Sequence, residues 1–386
     1  MLEDTYGHTP LHKAVDQLDV YGIGHDEARA NRAPVRLGMI GAGGVAQSKY
    51  FPAVARLRMI WEPLEIVAFA EPREGQAKKI QAVYGGHWYT DFRAMLANEE
   101  LDGVLVLGPD DVHLEHTLAS LEAGKHVLVE KPIARSLVDA WRMCKAADDL
   151  RLTLMAVANK RYSPPYRRAK QVLENGIVPD PAMFVGKFNL GYDYVDLLES
   201  GTIHLFDLTR YLMGDVKTVS AIGVNKYGRN RRKYPVDNIV MTLEFASGSV
   251  GTIYTSASAL NLKPWERVEV YGNHAWLAVE DQHELLIYDS EEGPTKSWRT
   301  VIPNTLLFDE EFGGYMGILE NFAQVIRGQD TPLVTGIAGY RAFELLTAVQ
   351  LSLIHNSRIS LPLPDPVIAD REVRAWLQAS GWPGDS

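Results

Sequence analysis

Between residues 35 and 150 the chain alternates short runs that are apolar at every position with longer stretches of helical periodicity. A strand that is apolar throughout is covered on both faces, which is typical of a parallel sheet between layers of helices. We therefore expect residues 35–156 to form one doubly wound α/β domain. The pattern predicts strands at 36–40, 64–70, 103–107 and 126–129, and helices at 45–57, 73–84, 92–98, 112–123 and 137–150.

The pattern changes after residue 156, where short alternating segments are separated by turn residues such as those at 246–249 and 272–273. We expect residues 157–386 to form an α+β domain with a mostly antiparallel open sheet, and substrate to bind in the cleft between the domains. Residues 1–34 are expected to be an N-terminal arm outside the fold. Strands are predicted at 183–190, 216–224, 238–245, 249–257, 267–271 and 275–279, and helices at 166–175, 203–213, 315–327 and 337–355.

Composition narrows the class of protein. The chain has 386 residues, 46% of them hydrophobic, which suffices for two domains of ordinary size. Its net charge of −10 argues against nucleic acid and anionic membranes as partners, and no apolar run approaches the ~18 residues that span a bilayer. Cys144 is the single cysteine, which excludes an intrachain disulfide and suits the cytoplasm. It lies in a predicted helix, so we interpret it as a buried structural thiol, and no Cys/His cluster has zinc spacing.

The turn after the first predicted strand matches the glycine fingerprint of a strand–turn–helix unit that binds a dinucleotide. Gly41 permits the tight turn, Gly43 lets the backbone approach a pyrophosphate, and Ala46 keeps the helix close to the strand. Gly44 and Val45 complete the turn, and the helix N-terminus offers free N–H groups to the phosphates. A tight turn without a ligand is the alternative for this pattern.

An acidic residue, Glu71, follows the second predicted strand. It would accept both hydroxyls of an adenosine ribose and repel a 2′-phosphate. Arg73 lies two residues further on, where a guanidinium could instead pair with a 2′-phosphate. We therefore expect NAD as the cofactor, with NADP as the alternative. A solvated loop carboxylate is the structural alternative for Glu71.

The sequence Glu130-Lys131-Pro132 follows Gly-Lys-His-Val-Leu-Val at the end of a predicted strand. Ligands of open α/β sheets bind at this end of a strand, and Pro132 would fix a turn that aims Lys131 into the cleft. A lysine partly desolvated beside a cationic nicotinamide should have a lowered pKa and could help remove a hydroxyl proton. A surface lysine in an acidic turn is the alternative.

Together with the glycine turn, the segment 101–134 resembles the glucose–fructose oxidoreductase and inositol dehydrogenase family, often written Gfo/Idh/MocA. The resemblance covers residues 35–362 and implies an N-terminal Rossmann domain. It also implies that Lys131 is catalytic and that Glu130 contacts the nicotinamide ribose. Four further residues match the family segment along the ribose and nicotinamide side of the cofactor, namely Leu107, Gly108, Pro109 and His113. For His113 alone, a helix N-terminal residue without a ligand is the alternative.

The segment 199–214 resembles the family helix whose histidine reaches the reacting hydroxyl, and His204 matches that histidine. A histidine suits general acid–base catalysis because its pKa lies near neutrality. Asp207 would orient the ring or serve as a buried structural partner, and a core histidine is the alternative for His204. Many dehydrogenases of the family carry an aspartate four residues before the histidine, where this chain has Ser200. Asp196 or Glu199 is a candidate to supply the missing carboxylate.

The residues Asn159, Arg161, Tyr162 and Pro164 match the family stretch that lines the cleft at the domain junction, so we predict that the first three, with Ser200, Lys131 and His204, bind substrate. Arg161 suits an anionic or polyhydroxylated ligand, and a salt bridge between domains explains it equally well. Three aromatic residues are candidate walls for a sugar ring, although core positions are commoner for them, namely Tyr192, Tyr194 and Trp265.

These features predict an NAD(P)-dependent oxidoreductase that acts on a hydroxyl of a sugar, cyclitol or related polyol. One alternative is a redox-neutral enzyme that retains NAD, oxidises its substrate transiently and then eliminates or epimerises. Another is a cofactor-binding protein without turnover. The resemblance also implies a homo-oligomer, a dimer or tetramer formed through the open sheet, to which the N-terminal arm could contribute.

Overall fold

A computed structural model describes residues 33–59, 63–189, 196–227, 235–258, 265–282, 284–289, 294, 296–299 and 313–380. The predicted N-terminal arm therefore lies almost wholly outside the described residues. The strands of the first domain are β1 (Val35–Ile40), β2 (Leu64–Ala70), β3 (His87–Tyr89), β4 (Gly103–Val106), β5 (His126–Val129) and β6 (Leu154–Ala156).

These six strands form a parallel sheet in the order β3-β2-β1-β4-β5-β6. The chain extends from β1 to one side and returns to β4 on the other, which opens a crevice at the carboxyl ends of β1 and β4. The predicted doubly wound fold is thus confirmed. The helices that cover the sheet are α1 (Phe51–Met59), α2 (Glu74–Tyr84), α3 (Phe92–Asn98), α4 (His113–Glu122) and α5 (Leu137–Leu150), and a π-helical turn, Ala46–Tyr50, leads into α1.

The second domain contains a nine-stranded sheet. Its strands are β7 (Met183–Asn189), β8 (Val216–Val224), β9 (Asn238–Phe245), β10 (Val250–Ser256), β11 (Glu266–Tyr271), β12 (Trp276–Glu280), β13 (Glu284–Tyr288), β14 (Lys296–Arg299) and β15 (Ile359–Ser360). The order is β14-β13-β12-β11-β7-β10-β9-β8-β15, antiparallel except where β7 pairs with β10. This confirms the predicted mostly antiparallel sheet, with three strands, β13 to β15, beyond those predicted.

The two faces of the second sheet differ in what covers them. Helix α6 (Pro164–Glu174) and helix α7 (Ile203–Met213) pack on the inner side, toward the first domain. On the outer face Ile222, Val240 and Tyr254 lie side by side on β8, β9 and β10, and they are 74%, 55% and 40% exposed. The outer face therefore presents an apolar strip.

The last three helices return to the first domain. They are α8 (Tyr315–Ile326), α9 (Gly336–His355) and α10 (Pro366–Ala379), of which α10 was not predicted. Side chains of α8 lie so close to Gly103 in β4 that an added Cβ there would be 2.9–3.1 Å from Ile326 and Phe322. The Asp370 carboxylate of α10 accepts hydrogen bonds from the first two N–H groups of α5 at 2.9 and 3.0 Å. The C-terminal helices thus join the two domains.

Helix α9 is long and apolar enough to cross a membrane by length and composition alone. Two thirds of the 18-residue apolar stretch of α9 is buried inside the protein, where the helix packs against β8, α5 and α7. This is the setting of a core helix.

Candidate active site

The glycine turn after β1 has one closed and one open side. Gly41 has φ +90°, and a Cβ there would lie 2.6 Å from the backbone nitrogen of Gly108, so only glycine fits without strain. A Cβ at Gly43 or Gly44 would meet no described atom within 4 Å, while Ala46 is fully buried. Val45, between them, packs partly buried against the core. The open side leaves space in which the backbone can contact a pyrophosphate, so the turn fits a dinucleotide.

Glu71 lies at the end of β2 and is only 2% exposed, so it is not a solvated loop carboxylate. Its oxygens accept hydrogen bonds from the backbone of Ala42 at 3.3 Å and Arg73 at 3.0 Å, and from the Arg73 Nε at 2.7 Å. Burial opposes ionisation of Glu71, but the hydrogen bonds and charge of Arg73 outweigh it, and the pKa lies below its ordinary value. The two residues that favour opposite cofactors therefore form one ion pair beside the glycine turn.

The turn after β5 holds Glu130 in a fixed position. Its Oε1 accepts a hydrogen bond from the Tyr50 hydroxyl at 3.0 Å, and its Oε2 accepts one from the backbone N–H of Lys131 at 2.9 Å. Tyr50 is fully buried and meets the ring of Tyr315 edge-on, with centroids 5.4 Å apart. A residue of the C-terminal segment thus supports the turn that carries Lys131.

The Lys131 ammonium reaches across to the second domain. Its Nζ donates a hydrogen bond of 3.0 Å to the backbone carbonyl of Ser200, a contact that any residue type at position 200 can make. Burial lowers the pKa of Lys131, and the carboxylates of Glu130, Asp110 and Asp196 oppose that shift. Asp196 is therefore close enough to act on Lys131 electrostatically.

His113 is 1% exposed and joins two turns. Its Nδ1 lies 2.9 Å from the carbonyl oxygen of Pro132, and its Nε2 lies 3.1 Å from that of Gly108. Both neighbours are carbonyl oxygens, which only accept, so an imidazole with one N–H donates to one of them at a time. The contact of His113 with the cofactor stays a prediction. Leu107 and Pro109 flank Gly108 in the segment after β4, and the Leu107 N–H donates to the Ile40 carbonyl at 2.8 Å.

His204 is the second residue of α7 and lines a small cavity together with Lys131, Lys160 and Asp207. Lys131 comes from the first domain and His204 from the second, so the cavity brings the two predicted catalytic residues together. Burial lowers the pKa of His204 well below its ordinary value, and the charges of Lys160 and Lys131 act in the same direction. Burial and the two neighbouring ammonium groups therefore disfavour the imidazolium form of His204.

Arg161 and Asp207 form a buried bidentate ion pair. The Arg161 Nε and Nη2 donate to the two Asp207 oxygens at 2.8 and 2.6 Å, and the residues are 8% and 5% exposed. The Nε and Nη2 edge of the guanidinium is thereby engaged by Asp207, and binding of substrate by Arg161 stays a prediction. Of the alternatives for Asp207, the structure shows the buried structural partner.

Lys160 is a residue of the cavity that the sequence analysis missed. It is 3% exposed, forms an ion pair with the fully buried Glu266 of β11, and lies over the rings of Phe188 and Trp265 at 4.9 and 5.0 Å. Trp265 is thus one of the two aromatic side chains that contact the Lys160 ammonium. The sequence feature that could have identified Lys160 is its position between Asn159 and Arg161, shortly after the buried strand β6.

The neighbours of Lys160 have different surroundings. Asn159 donates from Nδ2 to the carbonyl of Gly313 at 2.5 Å, and its buried Oδ1 has no hydrogen-bond partner among the described residues. Tyr162 is 2% exposed and its hydroxyl donates to the Asn321 side chain at 2.8 Å. Its contact with substrate stays a prediction. Pro164 begins α6, and Tyr192 and Tyr194 lie outside the described residues.

Across the part of the chain that the structure describes, no group of three or more His, Cys, Asp or Glu side chains is placed to hold a metal ion. Glu199 lines a separate pocket between the turn after β5, α9 and α10. The ionisable side chains that line the cavity are thus Lys131, Lys160, His204 and Asp207, of which Asp207 is paired with Arg161.

Comparison with known proteins gives consistent matches over both domains. Residues 35–157 match the Gfo/Idh/MocA model described as "Oxidoreductase family, NAD-binding Rossmann fold", and residues 198–361 match "Oxidoreductase family, C-terminal alpha/beta domain". Myo-inositol 2-dehydrogenase of Thermotoga maritima is 26% identical, over 85% of this chain and 98% of that protein. D-glucoside 3-dehydrogenase of Escherichia coli is 27% identical over the same shares. A levoglucosan dehydrogenase solved with NADH has the same fold, with a TM-score of 0.74 at 20% identity over 85% of this chain and 99% of the other.

Proposed function

Since the chain belongs to the Gfo/Idh/MocA family of NAD-dependent oxidoreductases, we propose that it transfers hydride between NAD and a hydroxyl-bearing carbon of a sugar, cyclitol or related polyol. The observation that carries this proposal is that Lys131 and His204, from different domains, line one cavity beside the carboxyl end of β5. The names of the relatives, which are dehydrogenases of an inositol and a glucoside, support the substrate class.

The cofactor site is proposed from the residues that fit a dinucleotide. The turn with Gly43 and Gly44 would hold the pyrophosphate, Glu71 the adenosine ribose and Glu130 the nicotinamide ribose. Bound NAD would supply a hydride acceptor at the nicotinamide ring. Glu71 favours NAD, and NADP remains the alternative because Arg73 could turn from Glu71 toward a 2′-phosphate.

Lys131 and His204 would orient the substrate hydroxyl and remove its proton. The Lys131 ammonium would donate a hydrogen bond to the hydroxyl oxygen, in place of its present bond to Ser200. The neutral His204 imidazole would accept the hydroxyl proton as the C–H bond breaks. Enclosure of these groups between the domains excludes water and strengthens both contacts.

The test begins with titration of the purified protein with NAD and NADP, oxidised and reduced, followed by tryptophan fluorescence. A panel of sugars, cyclitols and their acids is then assayed by nicotinamide absorbance. We expect NAD binding, polyol oxidation, and loss of turnover in Lys131→Met and His204→Gln with nucleotide binding retained. The matched controls, Lys79→Met and His355→Gln, alter exposed residues and should keep full activity. Absence of nucleotide binding, or full turnover by Lys131→Met, would contradict the proposal.

A redox-neutral reaction with retained NAD is a second candidate, which Ser200 favours because the usual aspartate of the proton path is absent there. It predicts that substrate is consumed with no net change in nicotinamide absorbance, while chromatography shows an eliminated or epimerised product. Binding of NAD without consumption of any polyol would instead indicate a non-catalytic cofactor-binding protein.

We also propose a cytoplasmic homo-oligomer formed through the outer face of the second sheet. The apolar strip of Ile222, Val240 and Tyr254 supports this, since a stable monomer seldom leaves such side chains adjacent and exposed. Light scattering should give a dimer or tetramer for the wild type and a smaller species for Val240→Lys. A monomeric wild type would exclude the oligomer.

A further inference from the structure

Ala42, in the middle of the glycine turn, is held by side chains on both sides of its backbone. Its N–H donates a hydrogen bond to the Glu71 Oε2 at 3.3 Å. Its carbonyl oxygen accepts hydrogen bonds from the side-chain amides of Gln47 at 2.9 Å and Gln76 at 2.5 Å. A carbonyl oxygen has two lone pairs, so these two amides complete its hydrogen bonding. Three side chains from outside the turn therefore fix the backbone of a glycine-rich segment.

Gln76 contacts two parts of the proposed cofactor site with one amide group. It is the third residue of α2 and is partly buried. Besides its bond to the Ala42 carbonyl, its Nε2 donates to the Glu71 Oε2 at 3.3 Å. The Gln76 amide thus links the carboxylate at the end of β2 to the turn after β1.

The Ala42 carbonyl also determines the direction of the next N–H group. The peptide group between Ala42 and Gly43 is trans, and in a planar trans peptide the C=O and the N–H point in opposite directions. Because the carbonyl points toward the amide of Gln76, the Gly43 N–H points away from it. Among the described residues this N–H has no hydrogen-bond partner, and a Cβ on Gly43 would meet none of their atoms within 4 Å. It is therefore an available backbone donor at the turn.

We propose that Gln76 is a positioning residue for the cofactor, because its amide holds the Ala42–Gly43 peptide in the orientation that lets the Gly43 N–H donate to the pyrophosphate. This inference rests on the proposed cofactor site. A turn that is already oriented loses less conformational freedom when it binds a ligand, which strengthens binding. The amide acts as a donor, since both of its partners, a carbonyl oxygen and the Glu71 carboxylate, are acceptors.

Three substitutions at position 76 separate the donor from the shape of the side chain. Gln76→Met has a similar length without a donor, Gln76→Lys keeps a donor, and Gln76→Glu places a carboxylate against two acceptors. Fluorescence titration should show the Kd for NAD about fivefold higher in Gln76→Met, higher still in Gln76→Glu, and no higher than in the wild type in Gln76→Lys. ADP-ribose, which has the pyrophosphate but no nicotinamide, should show the same order.

The matched control is Gln81→Met on the same helix. The amide of Gln81 donates to the carbonyl of Gly86 at 3.0 Å, and the residue is exposed, so this variant should bind NAD as the wild type does. Steady-state kinetics and thermal unfolding separate positioning from a general structural role. In Gln76→Met the KM for NAD should rise while kcat does not fall and the KM for the polyol is unchanged, and the unfolding midpoint should stay within about 3 °C of the wild type.

The proposal is overturned if Gln76→Met binds NAD and ADP-ribose as tightly as the wild type, or if Gln76→Lys binds them as weakly as Gln76→Met. It is also overturned if Gln76→Met lowers kcat and the unfolding midpoint together, since that result indicates a structural role. A wild type that binds no nucleotide would overturn the proposed cofactor site instead. The two failures are thereby separated.

Discussion

The two glycines of the dinucleotide turn should respond in opposite ways to the same small change. In Gly41→Ala the backbone must keep φ near +90°, which an L-residue adopts at a cost of about 1–2 kcal/mol. The new Cβ would also lie 2.6 Å from the Gly108 nitrogen and 2.9 Å from the Leu107 carbonyl carbon, both of which are backbone atoms that cannot rotate away. Separating the ends of β1 and β4 to relieve this contact adds about 1–3 kcal/mol. The expected loss of stability is therefore about 2–5 kcal/mol.

Gly43→Ala introduces the same methyl group into open space. No described atom lies within 4 Å of the new Cβ, and the backbone there does not require a positive φ, so the free energy of unfolding should change by less than about 0.5 kcal/mol. The methyl group would instead occupy the space proposed for the pyrophosphate. We expect the Kd for NAD to rise at least about tenfold, or ~1.4 kcal/mol.

Denaturant unfolding followed by tryptophan fluorescence measures the first effect, and fluorescence titration with NAD the second. Gly41→Ala should unfold at clearly lower denaturant, and Gly43→Ala should match the wild type in unfolding but bind NAD weakly. The reasoning is refuted if Gly43→Ala is the less stable of the two. It is also refuted if Gly43→Ala binds NAD as the wild type does.

Three further predictions concern buried charges and groups that titrate. Asp207→Ala leaves the Arg161 guanidinium buried without its partner and should cost about 3–5 kcal/mol in denaturant unfolding, whereas Asp215→Ala, at the exposed pair with Arg210, should cost under about 1 kcal/mol; equal losses would contradict this. Burial raises the pKa of Cys144 to about 12, so iodoacetamide at pH 8 should alkylate it only after denaturation, and rapid labelling of the native protein would show the assignment to be wrong. Burial lowers the pKa of His116 to about 4, so the unfolded chain takes up a proton first and stability falls as the pH drops from about 6.5 to 4, by up to about 3 kcal/mol. His116→Gln should lose less stability over that range, and an identical pH dependence would argue against the assignment.

The fold could be predicted where the apolar pattern extends over several residues. Strands β2, β5, β8 and β9 and helices α3, α5 and α7 have the predicted bounds, because each has a continuous apolar run or face and a clear end, such as Gly214 after α7. Strands β3, β6 and β15 contain only two or three residues, too few to show a period. The π-helical turn at Ala46–Tyr50 has five residues, too few for its period to be distinguished from that of an α-helix.

Only the site residues that belong to recognisable sequence motifs could be predicted. Lys131 and His204 stand in recognisable segments, and the structure places both on one cavity. The pairing of Arg161 with Asp207 joins residues 46 positions apart, and that of Lys160 with Glu266 joins a turn to a distant strand. Such partners depend on how the sheet packs against the helices, so local pattern cannot indicate which charges are already neutralised.

Because the last three helices pack back onto the first domain, they determine which segments of this protein could be exchanged with those of a relative. Phe322 and Ile326 fill the space beside Gly103, Arg327 donates to the Pro63 carbonyl at 2.7 Å, and Asp370 accepts the first N–H groups of α5. A fragment ending near residue 156 would expose these apolar and hydrogen-bonding surfaces to solvent. A chimera that borrows another substrate sheet should therefore replace only the stretch between α6 and α8. Residues 315–380 would stay with the nucleotide-binding half as a discontinuous module. Because that module keeps β15 and the face of α9 that packs on β8, the borrowed sheet must offer an equivalent of β8 to pair with β15.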